Sequence, residues 1–62
     1  MINYPVDWGQ EAENSLTVRD AGGDVLFDRM GTGEEDTVSE EDEEIVVEIV
    51  HATNEFGNTK GV

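Results

Sequence analysis

The sequence predicts a small, mainly β domain: an antiparallel sheet of about four to five short strands, with a place for one helix. Three observations carry this. Apolar residues alternate through Ile2, Tyr4, Val6 and Trp8. Two short β-type runs flank Gly22-Gly23. β-Branched residues crowd the segment from Ile45 to Val50. The alternative is an α+β fold with a helix at about 39–56. A chain of 62 residues makes one domain, 1–62. At this size folding buries only about 60% of the surface that the unfolded chain exposes.

Alternation near the N-terminus describes a strand with one buried face, because successive strand side chains point to opposite sides. Pro5 has no N–H to donate, which confines that strand to an edge or places Pro5 among its first residues. Residues 9–14, "GQEAEN", follow as a turn or a single helical turn. In "SLTVRDAGGDVLFDRM", residues 15–30, the two glycines supply the positive φ that a tight hairpin demands. Pairing across that turn sets Val18 opposite Phe27, Asp20 opposite Val25 and Leu16 opposite Arg29. Leu16, Val18, Val25 and Phe27 then share one face, with Thr17, Arg19 and Asp28 on the other. Residues 31–42 form a polar connection, and its part from Gly33 to Asp42 is expected to be the most mobile.

Residues 43–56, "EEIVVEIVHATNEF", fit two structures. Ile45, Ile49, Ala52 and Phe56 fall at i, i+4, i+7 and i+11, which suits an amphipathic helix capped by Ser39, acidic in its first turn and ended by Gly57. Ile45, Val46, Val47, Ile49 and Val50 are β-branched and favour a strand, which is preferred here. The end of this segment also resembles the last hairpin of immunoglobulin-like and fibronectin-like domains, through the A-x-N-x-x-G residues Ala52, Asn54 and Gly57. That resemblance spans only the C-terminal part, without the cysteine and tyrosine of those domains. It implies a strand, a turn and a short closing strand. The expected buried face is Leu16, Val18, Val25, Phe27, Ile45, Val47 and Ile49, with Trp8 and Phe56 as lids.

Composition narrows the function. Sixteen acidic residues face three basic ones, Arg19, Arg29 and Lys60, for a net charge of −13. Such charge repels nucleic acid and anionic lipid and attracts basic surfaces, so neither direct nucleic-acid binding nor membrane binding is expected. Cysteine is absent, which removes disulfides and thiolate metal sites. "MINYPVDWGQ" has no basic residue and no continuous apolar segment, so no secretory or transit peptide is expected. The apolar run "IVV" is far shorter than the ~20 residues of a membrane span. A soluble, cytoplasmic protein is expected.

The chemistry of catalysis is missing. His51 is the one histidine, with no serine or cysteine nucleophile beside it. "GTGEED", residues 31–36, has no lysine and places carboxylates where a phosphate would sit. "EEDTVSEEDEE" lacks the spacing and the glycine of a calcium loop. No enzyme, no cofactor and no dedicated metal site is expected.

What remains is the acidic band. Nine of the sixteen carboxylates lie between residues 34 and 48: Glu34, Glu35, Asp36, Glu40, Glu41, Asp42, Glu43, Glu44 and Glu48. These nine are the candidate partner-binding residues, with Glu13, Asp20, Asp24 and Asp28 extending the field if they share its face. A solvated face that blocks sheet aggregation explains acidity, though not its amount. Adaptation to high salt would spread carboxylates over every surface, whereas these are clustered. Imitation of a nucleic-acid backbone explains both amount and clustering. Duplex DNA carries about one charge per 1.7 Å of axis, and alternate side chains on a strand repeat every ~6.6 Å.

In size, acidity and lack of catalytic groups, the chain resembles the small phage-encoded inhibitors that include DNA mimics and anti-CRISPR proteins. The resemblance is one of character over the whole chain, and no motif carries it. It implies a non-enzymatic inhibitor that occupies the basic groove of a nucleic-acid-binding complex, such as a CRISPR surveillance complex, in the cytoplasm of a bacterial host. The alternative is a halophilic or generic acidic β interaction module whose charge serves solubility. A monomer or weak homodimer is expected, since like charge opposes pairing of strand edges.

Overall fold

The computed structural model describes the backbone of residues 1–60 and the side chains of residues 1–58. Strands β1 (Asp7–Ala12), β2 (Ser15–Arg19) and β3 (Val25–Met30) form one antiparallel sheet in the order β1-β2-β3. A 3-10 turn at Glu34–Asp36 leads to helix α1 (Glu40–Lys60), which packs against β1 and β2. The antiparallel sheet and single helix that the sequence predicts are both present, with three strands rather than four or five. Residues 43–56 are helical and not a strand. The expected turn and closing strand fail up to Lys60, where the chain is helix, while Gly61 and Val62 lie outside the described residues. No helix among the described residues is long and apolar enough to cross a membrane.

The hairpin keeps two of its three expected pairs, Val18 opposite Phe27 and Leu16 opposite Arg29. A register shift between Val18 and Arg19 then sets Arg19, rather than Asp20, opposite Val25. An extra residue on one strand bends it and turns the following side chains. Val25 consequently leaves the core and is 48% exposed. Asp20 instead folds into the turn, where it accepts the N–H of Asn3 at 3.2 Å, of Asp24 at 3.0 Å and of Gly22 at 2.9 Å. Those N–H groups, Asn3 foremost, hold its carboxyl below the usual carboxylate range against the opposing effect of burial. Gly23 has φ +89°, the conformation that this turn reserves for glycine.

Val6, Leu16, Val18 and Val46 form the buried centre, with Tyr4, Trp8, Leu26, Phe27, Val38 and Val50 packed around it. The helix enters it through Asp42, Val46 and Val50, at i, i+4 and i+8, and that line continues to the half-buried Asn54 and Gly57. The expected apolar line is displaced to the flank. Ile49, Val47 and Phe56 are exposed at 38%, 46% and 58%. The strand-based core was therefore wrong for Val25, Val47 and Ile49, and right for Leu16 and Val18.

The far half of α1 holds the N-terminal segment. Asn54 Oδ1 accepts the Val6 N–H at 2.7 Å, and Asn54 Nδ2 donates to the Val6 carbonyl at 3.0 Å. One side-chain amide thus serves both main-chain groups of Val6, as a neighbouring strand would. One turn further on, Tyr4 lies against Gly57, where an added Cβ would come within 2.5–2.6 Å of three ring atoms. Gly57 therefore sits inside the helix as a packing position and does not end it. Gly57→Ala is expected to lower stability. Alanine gains about 1 kcal/mol in helix propensity, but displacing a packed ring costs about 1–3 kcal/mol. Thermal unfolding followed by circular dichroism measures the balance, and a raised midpoint would contradict the packing.

The connection before the helix is tied by backbone hydrogen bonds. Gly31 N–H donates to the Asn14 carbonyl at 2.7 Å, and Gly33 N–H to the Thr37 carbonyl at 2.8 Å. Gly31 is buried, and a Cβ there would collide with the Thr37 carbonyl. Glu35 and Asp36 take left-handed φ of 54° and 63°. These tight angles turn the chain into the helix within a few residues.

Candidate functional site

α1 begins at the cap that the sequence predicts. Ser39 Oγ accepts the Asp42 N–H at 3.3 Å, while Asp42 Oδ2 accepts the Ser39 N–H at 2.9 Å. This is a capping box with aspartate as the returning carboxylate. The same carboxylate reaches further. Its Oδ2 accepts the Thr32 N–H at 2.8 Å, and its Oδ1 accepts Thr32 Oγ1 at 2.9 Å and Arg29 Nε at 3.1 Å. Arg29 Nη2 lies at 3.1 Å from the same oxygen. Asp42 thereby joins β3, the connection and α1.

This corrects one of the nine candidate residues. Asp42 has no exposed surface, so it belongs to the scaffold and not to a partner-binding face. Burial alone would push its carboxyl up. The N–H groups of Ser39 and Thr32 outweigh that and hold it far below the ordinary carboxylate range.

The other eight candidates are all exposed. Glu34, Glu35 and Asp36 lie on the 3-10 turn, and Glu40, Glu41, Glu43, Glu44 and Glu48 on the first half of α1. The carrier is a turn and a helix, not the strand ladder expected. At 1.5 Å per residue the five helical carboxylates span about 12 Å of axis, about one charge per 2.4 Å against the one per ~1.7 Å of a duplex. Of the four residues considered as extensions, Asp20 is withdrawn into the turn. Asp28 is exposed and accepts Thr17 Oγ1 at 2.6 Å. Glu13 and Asp24 are exposed at the two hairpin turns.

Both arginines are engaged elsewhere. Arg19 forms a two-pronged pair with Glu11 at 2.7 and 2.8 Å, which holds the Glu11 carboxyl below its usual range. Arg29 serves Asp42. Among the described residues the eight exposed candidates therefore have no cation of their own chain against them. His51 Nε2 lies 3.7 Å from Glu55 Oε1 on exposed helix, one turn apart. Among the described residues no group of three or more His, Cys, Asp or Glu is arranged to hold a metal ion.

A feature absent from the linear pattern lies within this face. Trp8, Ile45 and Val47 form the apolar part of an open groove of about 480 Å³. Glu41, Glu43, Glu44 and Glu48 line the same groove. Sequence reasoning assigned Trp8 to a lid and Ile45 and Val47 to the core, so it did not find a groove. The half-buried Trp8, set opposite Val18 in β1, was the one available signal. No family model matches the chain, and neither a curated protein nor a solved structure does.

Proposed function

We propose that the chain is a non-enzymatic inhibitor that presents a nucleic-acid-like acidic face to the basic groove of a nucleic-acid-binding complex, of which a CRISPR surveillance complex is one instance. One observation carries the reading: eight exposed carboxylates, none neutralised by an arginine of the chain, follow one another along a fastened turn and a capped helix. The backbone that carries the array is already ordered, so on binding only the glutamate rotamers remain to be fixed against the Coulomb attraction. Basic residues of the target pair with the array and nucleic acid is excluded. Association by such charge is fast and falls with salt.

The test is capture by tagged protein from bacterial lysate at moderate salt, with and without competitor duplex DNA. A nucleic-acid-binding complex is expected in the first case and its loss in the second. Reversing Glu40, Glu41, Glu43 and Glu44 to lysine is expected to abolish the same capture. Lysine in the first turn opposes the helix dipole by about 0.3–1 kcal/mol per residue, while lowered self-repulsion offsets it, so the circular dichroism spectrum should be retained. Capture that survives either the duplex or the folded reversal variant would sink the proposal.

A further inference from the structure

The groove beside Trp8 says more about the partner than net charge does. We infer that it receives an arginine side chain of the basic partner, the guanidinium lying against the indole and its charge met by the surrounding glutamates. The inference rests on the proposed reading of the chain as a ligand for a basic surface, and it assigns the point of closest engagement.

The lining defines the occupant. Trp8, Ile45 and Val47 offer apolar surface, and Glu41, Glu43, Glu44 and Glu48 offer only acceptors and negative charge. A purely apolar occupant would leave four carboxylates partly desolvated and unpaired, at a cost that rises as water is excluded. A small cation would satisfy the carboxylates but waste the indole and the two aliphatic side chains. An anion is repelled. Arginine satisfies every part: its methylene stem covers apolar surface, its planar head stacks on an aromatic face, and its forked donors match carboxylates in pairs. Lysine supplies a compact, strongly hydrated charge and matches less well. At about 480 Å³ the groove falls in the usual range of binding clefts, so it has room for the side chain with its flanking backbone. The chain's own arginines do not compete, because Arg19 is held by Glu11 and Arg29 by Asp42.

Trp8 is the only tryptophan in the chain and reports directly on the groove. The experiment titrates the full chain with a nona-arginine peptide and, separately, a nona-lysine peptide at about 150 mM salt, read by tryptophan emission and by calorimetry. Two variants of equal net charge accompany the wild type. One replaces Glu41, Glu44 and Glu48 by Gln in the groove. The other replaces Glu34 and Glu35 by Gln and Asp36 by Asn on the turn. Expected are a saturable change in Trp8 emission, arginine binding about tenfold more tightly than lysine, and a loss in the groove variant about tenfold greater than in the turn variant, since the groove carboxylates pair with a guanidinium that also stacks on Trp8 whereas the turn carboxylates have no aromatic surface beside them. Equal losses in the two variants, or heat of binding with unmoved Trp8 emission, would overturn the groove and leave the acidic-face reading standing. No heat and no change in Trp8 emission with either peptide would overturn both.

Discussion

Asp42→Ala is expected to leave the chain largely unfolded at neutral pH, whereas Glu41→Ala, one residue away, leaves it folded. The two side chains differ in what depends on them. Glu41 is exposed. Asp42 is fully buried and accepts hydrogen bonds from the backbone and side chains of Thr32 and Ser39 and from Arg29. Removing it strands two part-buried N–H groups and a half-buried guanidinium, and each group left unpaired away from water costs part or all of its desolvation penalty. It also dissolves the cap of α1 and the tie between helix and sheet together. Asp42→Asn is expected to fail nearly as badly, because an amide points an N–H at groups that are themselves donors. Far-ultraviolet circular dichroism of the three variants measures this. A folded Asp42→Asn protein would show that shape, and not the acceptor count, holds the joint.

The same carboxylate sets the response to acid. A carboxyl whose pKa is depressed by folding stabilises the native state above its unfolded pKa, about 3.9 for aspartate. That contribution disappears as pH falls from there towards the folded value. Asp20 is depressed by its turn N–H groups and acts in the same direction. The contribution of Asp42 should therefore be constant between pH 8 and about pH 5, and decline from about pH 4 downward. The thermal midpoint of the wild type, followed by circular dichroism, should show no loss from these two carboxyls between pH 8 and about pH 5 and a fall below about pH 4; a midpoint that stays level down to pH 2 would contradict the linkage.

Leu16→Ala is expected to cost about 2–5 kcal/mol. Leu16 has no exposed surface and is one of four buried apolar residues in the core cluster among the described residues. A core this small rarely supplies more than about 3–5 kcal/mol of net stability, so the variant should populate the unfolded state substantially at 25 °C. Val25→Ala, in the adjacent strand, should change stability by less than about 0.5 kcal/mol. The regular hairpin register places Leu16 and Val25 on one face, and the register shift at Val18/Arg19 separates them. Urea titration of the pair checks that shift directly; similar losses from both substitutions would place Val25 back in the core.

That hairpin shows how far the sequence reaches. Its turn and two of its pairs were legible because a glycine pair offers the positive φ that Gly23 adopts and the flanking residues alternate. The bulge was not, because nothing in a string of side chains marks where one residue slips out of register. In α1 the Ser39 cap and acidic first turn were legible, and the helical reading that they support is the one the chain adopts. β-Branched propensity favoured the strand, and tertiary packing of Val46 and Val50 overrode it. The face of the helix was misjudged for a different reason. Its buried line begins at a carboxylate and ends at an amide and a glycine, three residues that a search for apolar spacing passes over. Asp42 was consequently counted with the surface acids although it lies beneath them. The eight that do face solvent were legible as charge, but the groove among them depends on where β1 brings Trp8.

The clamp between Asn54 and Val6 has a kinetic consequence. It joins residues 48 apart, and closing so long a loop costs about 3 kcal/mol or more in chain entropy before any contact offsets it. The sheet and the first turns of α1 are joined over much shorter separations by the Asp42 hub and the hairpins. The far half of α1 therefore docks onto Val6 late in folding and opens early in the native state, whereas Asn3 stays tied to the hairpin through Asp20 and Ala21. The amides of that half should exchange with solvent through a local fluctuation that leaves the acidic face in place. Breathing at one end of the molecule is thereby kept apart from the acidic array at the other.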